Sequence, residues 1–111
     1  MTHLNSLIIE GVVVGEPHYY EEKGVLNFTI ETTRYYKNRE GDMVTESSQF
    51  KVVCFGAMAT YHSSLKEGKS LRIVGRLKLS KWESDGVIHS EVQVVAEHIE
   101  IRKGIESGKE S

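Results

Sequence analysis

The sequence predicts an all-β fold, a small barrel of five long strands with one short helix between the third and the fourth. Two observations lead there. Runs that alternate apolar and polar residues recur along the chain with Gly-containing turns between them, and a single segment, Ala57 to Lys66, has helical spacing instead. At 111 residues the chain forms one domain, in which every strand has to contribute to the core.

Leu4 to Val14 reads as the first strand, and Gly11 within it marks a bulge or a close backbone crossing. Gly15-Glu16-Pro17 is expected to end it, because Pro17 has no N–H to give to a ladder. Tyr19 to Gly24 form a polar connection. The second strand is Val25 to Tyr36, with Leu26, Phe28 and Ile30 as the core set and Asn27, Thr29, Glu31, Thr33 and Tyr35 opposite. Lys37 to Asp42 make a charged hairpin loop, and Met43 to Phe55 return. Period two puts Phe50, Val52 and Cys54 inward and Gln49, Lys51, Val53 and Phe55 outward.

Ala57, Met58, Tyr61 and Leu65 then share a helix face that Gly68 closes, with His62 on the helix surface. From Ser70 to Trp82, Leu71, Ile73, Leu77 and Leu79 face the core with Gly75 among them. Arg72, Arg76, Lys78, Ser80 and Trp82 face away, a basic ladder that ends in the chain's only tryptophan. Glu83 to Gly86 turn the chain. His89 to Ile101 is the last strand, with Val92, Val94 and Ala96 inward and a bulge near Glu97. The domain thus spans residues 1–101, and residues 102–111 read as a short disordered tail.

The net charge of −2 conceals a dipole. Residues 34–81 hold ten Lys or Arg against four acids, while the remainder holds four against twelve. Binding of a polyanion depends on local field rather than on the sum, so the overall acidity does not exclude it. No apolar run reaches the length of a bilayer span, and the start of the chain has no signal-peptide pattern; a cytoplasmic protein is expected. Cys54, the single cysteine, reads as a buried thiol without a neighbouring histidine. The five histidines lack metal-ligand spacing, and no glycine run cradles a phosphate before a helix. A binding role is therefore expected, without catalytic residues, metal or cofactor.

Aromatic and basic residues interleave on the outward faces: Tyr35 and Lys37; Lys51 and Phe55; Arg72, Arg76, Lys78 and Trp82; Arg34 and Lys81 adjoin them in sequence as further basic candidates. Rings on which bases stack and cations that follow phosphates are what a single-stranded nucleic acid requires. Trp82 closing a subunit interface or covering a barrel end, and the hairpin tyrosines lying over their own sheet, fit the same pattern. Strands one to three, a helix, and strands four and five is the order of the oligonucleotide-binding (OB) barrel, although other small β folds share it.

Gln49 to Ala57, the Tyr61 to Lys69 helix end and Leu71 to Trp82 resemble the DNA-binding domain of bacterial single-stranded DNA-binding proteins. Leu4 to Gly11 and Val25 to Ile30 are similar too, so the likeness covers about residues 3–101. It implies sequence-independent binding and protection of single-stranded DNA in replication, recombination and repair, near the nucleoid. Of the family's four stacking aromatics it carries three, to Tyr35, Phe55 and Trp82; the fourth falls on Gln49. It also implies a homo-oligomer, a tetramer first and a dimer second. The family's long linker and acidic recruiting tip are not matched, so either a truncated domain or a short tail-less relative is expected. A dimeric primosomal protein of replication restart, and an OB module that meets an acidic protein partner, are the rival readings.

Overall fold

Each strand gives alternate side chains to one interior, and the ladder closes because the first and last strands in space also pair. The computed structural model describes residues 2–102. Its elements are β1 (Leu7–Tyr20), β2 (Val25–Lys37), β3 (Met43–Phe55), α1 (Gly56–Tyr61), β4 (Ser70–Ser84) and β5 (Val87–Ile101). They form a closed barrel in the order β1-β2-β3-β5-β4, with β4 returning to β1. All pairs are antiparallel except the seam of β3 with β5, a short parallel contact of Val52 with Val94 and Val53 with Val95. The OB barrel expected from the order of elements is the fold found.

Val13, Leu26, Ile30, Val52, Cys54, Leu71 and Ile73 are completely or almost completely buried, with Phe28, Val94, Ala96 and Ile99 around them. Burial pushes the Cys54 thiol up to about 11, so at neutral pH it is a protonated, inert core residue. The helix is one turn shorter at its end than its spacing suggests, and it seats Ala59 in the core with Met58 and Leu65 packed alongside. Tyr61 is out in solvent at 81% exposure, whereas His62, expected on the surface, is buried. The cause is that His62, whose N–H still donates to Met58 O at 3.1 Å, stays in helical register one turn after Met58 and Ala59, on the face that packs against the core. Desolvation, then the charge of His98, holds the His62 imidazole below its usual range.

Two glycines are required by close approach. A Cβ on Gly11 would lie 2.6 Å from the Glu31 carbonyl oxygen, which makes the expected close backbone crossing real. A Cβ on Gly75 would collide with the carbonyl of Val95. At that point the register of β4 with β5 shifts: Val74 opposes His98 and Gly75 opposes Ala96, so Glu97 is the extra residue of a bulge, where the sequence placed it. β1 does not end at Pro17. It passes through an irregularity between Val14 and His18 and continues to Tyr20.

The inward assignments fail at the strand ends. Phe50, Leu77, Leu79 and Val92 are 40%, 48%, 54% and 58% exposed, because the β2-β3 and β4-β5 hairpins outrun the barrel and their inner faces have nothing to pack against. The molecule is accordingly 47 Å in its longest dimension. The β4-β5 turn is Asp85-Gly86 with φ of 53° and 76°, the positive values that a two-residue type I′ hairpin demands at both positions. Gly75→Ala should destabilise the barrel by about 1–3 kcal/mol through overpacking against Val95, read as a lower midpoint in urea unfolding, whereas Ser80→Ala on the exposed hairpin should stay within about 0.5 kcal/mol of the parent.

Candidate nucleic-acid interface

Residues directly opposite in a ladder share a face, and this sorts the candidate side chains. On β2 and β3, Tyr35 lies opposite Thr45, Lys37 opposite Met43, Lys51 opposite Thr29 and Phe55 opposite Val25, all on the outer face. Gln49, opposite Glu31, sits on that same row between Tyr35 and Phe55. On β4, Arg72, Arg76, Lys78 and Trp82 form the outer row and meet Glu100, Val95, Gln93 and His89 of β5. A Lys51–Glu91 ion pair at 3.2 Å joins the two rows into one surface. Two candidates point the other way. Arg34 pairs with Glu46 at 3.1 Å and lies 4.9 Å from the Tyr36 ring centroid, on the face opposite Tyr35. Lys81, opposite Ser90, shares the face of Leu79 and Val92.

Tyr35, Phe55 and Trp82 are 70%, 49% and 47% exposed. Tyr35 and Phe55 are separated by ten positions along β3, roughly 33 Å at 3.3 Å per residue, so only an extended ligand reaches both. Trp82 stacks on His89, with ring centroids 5.5 Å apart and planes at 19°. His89 thus props one side of the indole. Its part was missed in the sequence, although Trp82 and His89 stand symmetrically about the Asp85-Gly86 turn and counting outward from it pairs them.

The basic row is less open than the sequence suggests. Glu97, the bulge residue, reaches Arg76 at 3.3 Å, and Glu91 holds Lys51. Arg72 is held by Glu10 at 2.7 Å and Glu100 at 3.7 Å, and Arg102 also pairs with Glu10. The hydrogen bond from Arg72, ahead of the other contributions, brings the exposed Glu10 carboxyl below its usual range. Acids of β1 and β5, distant in sequence, therefore fold back over the positive segment. Lys37, Lys78 and Lys81 join no ion pair among the described residues. Arg102, read from sequence as the start of the tail, also donates its backbone N–H to Ser70 O at 2.7 Å. The rest of the expected tail, residues 103–111, lies outside the described residues.

Among the described residues no group of His, Cys, Asp and Glu could hold a metal ion, and no helix is long and apolar enough to cross a membrane. The surface offers exposed rings, cations and hydrogen-bonding side chains along an extended path. It has the parts for binding a flexible, aromatic-bearing polyanion.

Comparison with known proteins follows the same line. A single-stranded DNA-binding protein of Aquifex aeolicus is 34% identical over 102 residues, which are 88% of this chain and 69% of that protein. Among solved structures, the wild-type single-stranded DNA binding protein of Thermus aquaticus superposes with a TM-score of 0.75 at 26% identity, over 92% of this chain and 52% of that one. Plasmodium falciparum SSB in complex with ssDNA superposes with a TM-score of 0.78 at 15% identity, over 92% and 97% of the two chains; at that identity the likeness speaks for the fold alone. The profile of the Single-strand binding protein family matches residues 4–102, the whole barrel from the segment before β1 to Arg102, and the chain belongs to that family.

Proposed function

We infer that this chain binds single-stranded DNA without reading its sequence and protects it during replication, recombination and repair. As a member of the single-strand binding family it is not an enzyme. The observation that carries the reading is the one continuous outer face on which Tyr35, Phe55 and Trp82 stand exposed beside Lys37, Lys51, Arg76 and Lys78. Bases stack on the three rings, while these cations and Arg72 follow the phosphates. Arg34 and Lys81, on the reverse faces of the hairpins, act where the strand wraps around a hairpin edge. Along the rows that carry Tyr35, Phe55 and Trp82 the side chains are mainly rings and cations, which favours stacking and charge over readout.

The same reading extends to assembly and place. Ile8 and Val12 project from the outer face of β1 at 70% and 40% exposure, and Leu4 before it is 94% exposed. Burying them between copies accounts for their exposure, and a homo-oligomer follows, a tetramer before a dimer. The work is cytoplasmic, at the nucleoid. The face supports DNA coating better than the assembly-module reading, in which Trp82 would be covered by a partner.

Titration with poly-dT should quench Trp82 fluorescence and the affinity should fall steeply as salt rises; absence of quenching at low salt overturns the function. Trp82→Ala should lose about fivefold or more in affinity, measured by fluorescence anisotropy of a labelled dT strand, and keep its circular dichroism. Gln49→Trp should tighten binding by a similar factor, since it puts a ring between Tyr35 and Phe55 on the same row. Glu91→Gln should free Lys51 for phosphate, raising affinity several-fold at low salt and steepening the salt dependence. Surface pairs contribute only about 0–1 kcal/mol to folding, so the unfolding midpoint of Glu91→Gln should barely move.

A further inference from the structure

The outer row does not stop at β2. Tyr20 lies opposite Val25, which lies opposite Phe55, and His18 lies opposite Asn27, which lies opposite Val53. With strands about 4.8 Å apart, Tyr20 stands about 10 Å from Phe55 across the sheet. Beside it the β1-β2 ladder is broken. Val14 opposes Thr29 and His18 opposes Asn27, so Gly15, Glu16 and Pro17 stand against Phe28 alone. Gly15 takes a φ of +75°, and its N–H donates to Glu67 Oε2 at 3.2 Å, which ties the bulge to the segment after the helix.

The bulge opens a groove of about 400 Å³, walled by Glu16, His18, Tyr20, Asn27, Thr29 and Lys51. That is within the range of small-molecule sites. His18 and Tyr20 form a stacked pair in its wall, with centroids 6.4 Å apart and planes at 27°. Its polar groups have mixed character: Lys51 donates, Glu16 accepts, and the Asn27 amide does both. A phosphate would meet the Glu16 carboxylate. A flat ring with donors and acceptors along one edge meets complementary groups instead.

We propose that this groove is a nucleobase subsite, in which the base following the one on Phe55 stacks on Tyr20 and presents its edge to Asn27 and Glu16. The proposal rests on the single-stranded DNA reading above and deepens it. It supplies, across the sheet from Phe55, a further ring to a path that lacks one at Gln49. A carboxylate only accepts, so Glu16 favours a base with an exocyclic amino group, cytosine, adenine or guanine, over thymine. Lys51, at the boundary of groove and outer row, takes the phosphate between the two bases.

The test is quenching of Trp82 by dC and dT strands of increasing length in the parent, Tyr20→Ala, His18→Ala and Glu16→Gln. Tyr20 and His18 are exposed, so their removal leaves the core intact. Tyr20→Ala should bind long dC strands about fivefold or more weakly and saturate at a shorter strand length, with quenching by short strands unchanged. His18→Ala should lose less. Glu16→Gln should reduce the ratio of dC to dT affinity. Parent-like affinity and saturation length in Tyr20→Ala would overturn the subsite, and an unchanged dC to dT ratio in Glu16→Gln would overturn the base preference. Failure of every strand to quench the parent protein would instead refute the DNA-binding reading itself.

Discussion

The structure depends on how closely the β4 and β5 backbones approach at Gly75. Only a residue without a side chain leaves room for the Val95 carbonyl there, and that approach is where the β5 register slips by one residue at Glu97. Without the slip, the rows on either side of it could not both be right. Ile99 would no longer face the core together with Ala96 and Val94, and Trp82 would no longer stand opposite His89. The same stretch of β5 supplies Val94 and Val95 to the parallel seam with β3, so barrel closure and the placing of the outer row have one origin. A bulge that is locally a loss of hydrogen bonding thus fixes both the core and the face.

The bulge also sets electrostatics. Glu97 is the residue left over by the slip, and its carboxylate falls on Arg76, while Glu91 reaches Lys51 from further along β5. A positive stripe carrying its own counter-charges presents a weaker field to a distant polyanion than the residue count implies. Exposed pairs of this kind hold little folding energy and exchange readily, so a phosphate can replace a carboxylate at small cost. Affinity then rests more on stacking, and the salt response reports both the phosphates bound and the carboxylates released.

Most of the architecture could be read along the chain because period two and turn residues are local signals. The succession of elements along the chain, the Glu97 bulge and the crossing at Gly11 follow from them. What could not be read is where the barrel stops. Leu77, Leu79 and Val92 continue the inward row without interruption, and nothing local says that the opposing strand has ended. His62 differs for another reason: a helix face drawn through Tyr61 leaves it outside, whereas the face that packs runs through Met58, Ala59 and His62. At the site, alternation found the faces of Tyr35, Phe55 and Trp82. It could not find the ion pairs, which join acids and bases as far apart in the chain as Glu10 and Arg102. Lys81 adjoins Trp82 in sequence, but alternation puts neighbours on opposite faces, and Lys81 lies with Leu79 and Val92.

The exposed apolar faces of the two hairpins follow from the same constraint. A strand long enough to carry Tyr35 or Trp82 beyond the barrel must leave its inner row without a core, and each such residue forgoes the stabilisation that burial would bring. Those rows are part apolar, with Leu77, Leu79 and Val92, and part charged, with Arg34, Glu46 and Lys81. Leu77 is bridged by Asn5, which accepts from the Leu77 N–H at 3.0 Å and donates to its carbonyl at 2.8 Å. The segment before β1 is therefore drawn along the root of the β4-β5 hairpin, next to the exposed Ile8 and Leu4. Reach for a long ligand and exposed apolar side chains on the hairpins are then two consequences of one choice, strands that outlast their barrel.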